Sequence, residues 1–256
     1  MLGQDIVRVA GDDVVAVAHA DLDVTDADAT RALLAGSTVI NCAAYTDVDG
    51  AESDPERAHA VNAEGASNVA EAAERVIYVS TDYVFDGTKR EPYVESDPTA
   101  PLQSYGRSKL AGERATALAN PNHLIVRTSW LFGVGGKNFV ATMLALGKKN
   151  DELLVVDDQV GCPTFTGHLA VALSRLARSD ERGILHAAAA GSCSWFDFAR
   201  EIFDRAGVDC LVKPCTSDEF PRPARRPHHS VLGSERDGPT LPVWQDGLDA
   251  YLGVPV

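Results

Sequence analysis

Tyr105 and Lys109 stand four residues apart in the segment SYGRSKLAGE, and Thr81 closes an earlier apolar run, YVST. On a helix, a spacing of four puts both side chains on one face. An unperturbed tyrosine phenol ionises near pH ~10, and a neighbouring ammonium favours the phenolate and lowers that value. Such a phenol can protonate an oxygen that gains negative charge, while a threonine hydroxyl donates a second hydrogen bond to the same oxygen. That is the equipment for reducing a ketone by hydride transfer. The Tyr-x-x-x-Lys pair alone is a weak signal, because a surface helix with a solvated lysine has the same spacing. The hydroxyl at the end of a strand strengthens it, since ligands of open α/β sheets sit at the carboxyl ends of strands.

Those side chains need a sheet and a helix to bring them together, and the chain alternates the two patterns. Short β-branched runs occur at Val14–Val17, Val39–Cys42, Val76–Ser80, Leu124–Thr128, Leu153–Val156 and Ile184–His186. Between them lie longer helical patterns. One opens on Asp54-Pro55-Glu56, an N-cap with proline and acid in the first turn. A second spans about Ser104–Ala119, and a third, Trp195–Ala206, has apolar residues at helical spacing. Alternation of this kind with nearly all-apolar strands predicts a parallel sheet covered on both faces. The junction between NVAEAAE and RVIYVS lacks the turn residues an α-to-β connection normally carries. Either the helix ends early, near Ala70, or residues have been lost near Glu74.

The composition narrows the partners. A formal net charge of −14 opposes non-specific binding to nucleic acid or to an anionic membrane. No apolar run is long enough to span a bilayer, and a cytoplasmic location is expected. The five cysteines, Cys42, Cys162, Cys193, Cys210 and Cys215, form no C-x-x-C, and neither a disulfide framework nor a metal site is expected.

Thr81 followed by Tyr105-x-x-x-Lys109 resembles the catalytic set of the extended short-chain dehydrogenase/reductases. The segments VINCAAYTDVDGAE (39–52), VSTDYVFDGT (79–88), RTSWLFG (127–133), DDQVGCPT (157–164) and ARRPHHSVL (224–232) resemble the dTDP-4-dehydrorhamnose reductase family over nearly the whole chain. The resemblance implies a Rossmann-like doubly wound parallel sheet with a smaller C-terminal substrate-binding lobe. It implies one unit, with about 1–130 mainly holding cofactor and about 131–256 mainly holding substrate. The implied activity is reduction of the C4 ketone of dTDP-4-dehydro-L-rhamnose by NADPH, with NADH as the alternative cofactor.

Carried over by position, Thr81, Tyr105 and Lys109 are catalytic, and Lys109 also binds the nicotinamide ribose. Asn41, Ala43, Ala44 and Tyr45 lie along the cofactor, and Asp23 and Val24 lie beside the adenine. Trp130 packs on the sugar, Thr81 also touches substrate, and Arg225 and Arg226 meet the nucleotide diphosphate, for which paired guanidiniums are suited. No acid follows Val14–Val17 to grip both ribose hydroxyls, and His19 stands near where a 2′-phosphate would lie, which favours NADPH. Gln159 and Thr164 are expected to fix the turn around Gly161 and Pro163, and Cys162 to pack.

Members of the family open with a strand and a glycine-rich turn. Gly3 corresponds to the last glycine of that turn, which lets the following helix pack closely on the sheet, so the chain is expected to begin inside that motif. Two other readings stay open: a related nucleotide-sugar epimerase or dehydratase, and a non-catalytic regulatory relative. A homodimer is compatible with the sequence.

Overall fold

The computed structural model describes residues 1–253. Its longer strands are β1 (Thr38–Asn41), β2 (Arg75–Thr81), β3 (His123–Thr128), β4 (Glu152–Val156), β5 (Gly183–His186) and β6 (Leu211–Cys215). Its longer helices are α1 (Leu2–Ala10), α2 (Ala27–Leu34), α3 (Gly65–Ala72), α4 (Ser104–Ala119), α5 (Phe139–Gly147), α6 (Thr166–Leu176), α7 (Trp195–Ala206) and α8 (Trp244–Leu252). Strands β1, β2, β3 and β5 form one parallel sheet in that spatial order, with Thr81 opposite Thr128 at its carboxyl end.

The period-two pattern of the strands sorts their side chains onto two helical layers. Ile77, Leu124, Val126 and Leu185 face Leu2 and Ile6 of α1 and Leu169 and Leu173 of α6. On the other face, Val76 packs with Leu34 of α2 and Val69 of α3, and Tyr78 and Ile125 pack with Ala66. A separate apolar core, built on Phe132, Val140, Phe198, Ile202, Trp244 and Leu248, holds α5, α7 and α8 together as the C-terminal lobe. No helix among the described residues is long and apolar enough to cross a membrane.

Two sequence expectations are corrected. Val14–Val17 forms no strand, and Val15 and Val17 are exposed. A β-branched run becomes a strand only where it finds a ladder partner and a face to bury. The described sheet accordingly runs in one direction from β1, whose outer edge has no partner among the described residues. Second, β4 lies outside the main sheet and pairs in parallel with β6. At Glu74 the helix-to-strand connection is made without turn residues. Helix α3 ends at Ala72, and Asn120 Nδ2 donates to the Ala70 and Ala73 carbonyls at 2.9 Å. The Ala73 N–H donates to Val69 O, and that of Glu74 to Ser37 O. A side chain from the end of α4 thus takes over the capping that a turn residue usually provides.

Candidate active site

Thr81 ends β2, and the chain turns at once into Asp82–Val84, a single 3-10 turn. The turn is fixed by side-chain bonds at Thr81. Its hydroxyl accepts from Tyr83 N–H at 3.2 Å and donates to Asp82 Oδ1 at 3.1 Å. Helix α4 crosses the same end of the sheet. Its N-terminus is held by Glu52, whose Oε1 accepts from Ser104 N–H at 2.6 Å. Its face is brought close by glycines. A Cβ on Gly106 would strike Tyr83 O, and one on Gly112 would strike Asn62 O and the Tyr78 hydroxyl. Tyr105 is half-buried, edge-on to Tyr83 with ring centroids 6.1 Å apart.

Lys109 is almost wholly buried. Its Nζ donates to Val79 O at 2.8 Å and lies 4.0 Å from the Tyr78 ring centroid. No carboxylate pairs with it among the described residues. Burial pulls its pKa down to about 7, against the opposing fields of Glu113 and Cys42. Burial pushes the Cys42 thiol up to about 12. Tyr105 departs from expectation: burial, followed by the nearby Asp82 carboxylate, raises its pKa, and a side-chain hydrogen bond with Thr81 only partly offsets this. The Lys109 ammonium is directed to Val79 O and the Tyr78 ring. With its pKa raised, Tyr105 is a neutral phenol, a group able to protonate an alkoxide because an alkoxide is a stronger base than a phenolate.

Behind the pair lies a buried clamp. Arg127, inside β3, donates through Nε to Glu113 Oε1 at 2.9 Å and through Nη2 to Oε2 at 2.7 Å, and Ser80 donates to the same carboxylate at 2.6 Å. This bidentate ion pair fixes α4 to two strands. Asn62, in the π-helical turn Ala60–Glu64 just before α3, ties the loop after β1 to α4. It accepts from Tyr45 N–H at 2.8 Å and donates to Tyr45 O at 3.1 Å and to Ser108 Oγ at 2.9 Å. Sequence reading missed Arg127, Glu113 and Asn62. Two signals were available: a charge inside an apolar strand, and an acid one turn beyond Lys109.

The remaining expected residues divide. Asn41 is buried at the end of β1, and its Oδ1 accepts from Ala43 N–H at 3.0 Å, shaping the loop that continues through Ala44 to Tyr45. Val24 presses on Gly65, and its carbonyl accepts from Asn68 at 2.9 Å. Asp23 and His19 are exposed neighbours, and bonds from the Thr25 backbone and side chain hold the Asp23 carboxyl below its usual range. Gly3 is exposed, and a Cβ there would meet nothing within 4 Å, so close packing is not what requires a glycine there.

Trp130 is not a free aromatic face. It adopts φ 46° and stacks on Trp195 with centroids 3.5 Å apart and planes 3° apart, while Gly161 presses its ring. Arg226 is already committed: it grips both oxygens of Asp49, at 2.5 and 3.0 Å, and donates to Ala224 O. Hydrogen bonding from Arg226 holds the Asp49 carboxyl below its usual range. Arg225 is exposed. Gln159 and Thr164 serve the loops, through Ser217 and the Cys162 carbonyl respectively, and Cys162 is buried.

These groups fit a nicotinamide nucleotide and a sugar. Lys109 keeps donor capacity beyond its one carbonyl contact, which suits ribose hydroxyls. Near the carboxyl edge of the sheet, Thr128 Oγ1, Trp130 Nε1 and His229 Nδ1 are buried without a protein partner. Orphaned polar atoms of this kind call for a ligand or water.

Residues 1–254 match the family described as the RmlD substrate binding domain. The chain is 48% identical to a dTDP-4-dehydrorhamnose reductase of Mycolicibacterium smegmatis, over 98% of this chain and 81% of that protein. Among solved structures, a dTDP-4-dehydrorhamnose reductase of Clostridium acetobutylicum superposes with a TM-score of 0.93 at 40% identity, covering 99% of this chain and 95% of that one. One of Bacillus anthracis, in complex with NADP, gives 0.93 at 36% identity, with the same coverage of both chains.

Proposed function

The chain belongs to the dTDP-4-dehydrorhamnose reductase family, and from that premise we propose how its residues divide the NADPH-dependent reduction of the C4 ketone of dTDP-4-dehydro-L-rhamnose to dTDP-L-rhamnose. NADPH, when bound, supplies the hydride. Tyr105 gives its proton to the ketone oxygen as negative charge develops there. Thr81 orients that oxygen beside the phenol. Lys109, held by Val79 O, grips the nicotinamide ribose and keeps the ring next to the ketone. The loop Asn41–Tyr45, pinned by Asn62, forms the wall along the nucleotide, with Asp23, Val24 and His19 toward the adenosine end. Residues up to about 130 mainly hold the cofactor, and those beyond mainly hold the dTDP-sugar.

The observation that carries this reading is the joint placement of Thr81 and Tyr105 at the carboxyl end of β2, with Lys109 buried one turn farther along α4. The alternatives of an epimerase or a non-catalytic subunit predict different behaviour. Mixing the protein with NADPH and dTDP-4-dehydro-L-rhamnose should consume NADPH and release dTDP-L-rhamnose in equal amounts. Sugar turnover without net NADPH consumption, or no turnover, would overturn the assignment.

A further inference from the structure

Thr81 has one hydroxyl hydrogen and two lone pairs. The hydrogen is directed to Asp82 Oδ1 at 3.1 Å, one lone pair takes the Tyr83 N–H at 3.2 Å, and Tyr105 lies near Thr81. In that arrangement Thr81 can only accept, and it has no hydrogen left for a substrate oxygen. Asp82 Oδ2 is engaged from the opposite side by the Ser230 hydroxyl at 2.6 Å, which comes from the loop 224–232. Asp82 is buried, and no cationic side chain pairs with it among the described residues.

We propose that Asp82 is a positioning residue that sets the direction of the Thr81 hydroxyl. An ionised Asp82 captures the Thr81 hydrogen and holds Thr81 as an acceptor. A protonated Asp82 donates to Thr81, and the Thr81 hydrogen is then free to turn to the ketone oxygen beside Tyr105. The proton that makes the change comes from solvent water and returns to it, and no bond to carbon is involved. This rests on the reading of Thr81 and Tyr105 as the pair that receives the ketone.

The surroundings favour titration near neutrality. Burial raises the Asp82 pKa to about 7, and the bonds from Ser230 and Thr81 work in the other direction. The groups around it are neutral in this range. Tyr83 from its own turn, Tyr105 from α4 and Cys162 from the loop after β4 all hold their protons more tightly because of its charge or their burial. Arg226 reaches Tyr83 and Asp49 instead, and Arg127 is taken by Glu113.

The test is kcat against pH at saturating NADPH, from about pH 6 to about pH 9. The unsubstituted protein should lose kcat as pH rises through about 7. In Asp82→Asn, whose amide does not titrate, that limb should vanish. In Ser230→Ala, which removes a bond favouring the carboxylate, it should move up by about half a pH unit or more. Lys109 also titrates near this range, but its loss of charge should appear in KM for NADPH. A limb that persists in Asp82→Asn at the same pH overturns the proposal. If that variant does not fold, a limb that stays put or moves down in Ser230→Ala does so. Tyr105→Phe separates the levels: near-normal turnover would remove Tyr105 as the acid, while the Asp82 switch still stands or falls on the other two profiles.

Discussion

Tyr105 and Lys109 share a helix face, and single substitutions should separate the roles proposed for them. Tyr105→Phe should lower kcat by about 10²-fold or more and leave NADPH affinity nearly unchanged in a binding titration. Lys109→Ala should weaken NADPH binding as well. The buried charges also predict how stability varies with pH. Asp82 has its pKa raised from 3.8 to about 7, so the folded state holds its proton longer than the unfolded chain. Its contribution is complete below 3.8 and is lost as pH rises to about 7. Lys109, lowered from 10.5 to about 7, acts in the opposite sense over a higher window: stability should recover as pH rises from about 7 to 10.5. Urea unfolding at a series of pH values should show Asp82→Asn flattening the lower slope alone; an unchanged lower slope would contradict the assignment. The joint placement of Thr81, Tyr105 and Lys109 at one end of the sheet was legible in the sequence from a strand-ending hydroxyl and a four-residue spacing on the following helix. The acidity of Tyr105 was not, because it depends on burial and on Asp82, which only the fold brings beside it.

Helix α4 places both residues, and its glycines determine how closely it can approach the sheet. A Cβ at Gly112 would overlap Asn62 O and the Tyr78 hydroxyl, both buried. Gly112→Ala should therefore cost about 1–3 kcal/mol through overpacking. That corresponds to a fall in melting temperature of roughly 2–4 °C per kcal/mol for a chain of this size. Because α4 must move outward, kcat should fall too, and a variant with wild-type melting and turnover would show that the contact is soft. The β2, β3 and β5 strands and α4 and α7 could be read from apolar period and caps. Val14–Val17 has the same composition as those strands, and its failure to form one shows what periodicity omits: a strand is a pairing, and its partner is not written in its own residues. Two-residue strands such as Leu131–Phe132, which pairs with Thr164–Phe165, carry no period at all, so β pairing there was invisible.

Across the molecule, the Asp49–Arg226 pair joins the loop after β1 to the loop 224–232, residues 177 positions apart in sequence. The motif ARRPHH showed two arginines of equal promise, and only the fold distinguishes them. Arg225→Ala should raise KM for the dTDP-sugar by about tenfold, as expected for one charge-assisted contact, with no change in melting. Arg226→Ala should instead lower the melting temperature by roughly 3–6 °C, because half-buried Asp49 loses its bidentate partner and keeps only Arg222 and the Ala224 N–H. Equal melting of the two variants would show that the pair contributes no stability. The stack of Trp130 on Trp195 has an optical consequence. With three tryptophans in the chain, and Trp244 buried in the C-terminal core, two indoles share excitation at van der Waals distance while the third emits as a steady background. A sugar that parts the stacked rings should change the emission directly, a signal that stopped-flow mixing with the dTDP-sugar would read before any NADPH is consumed.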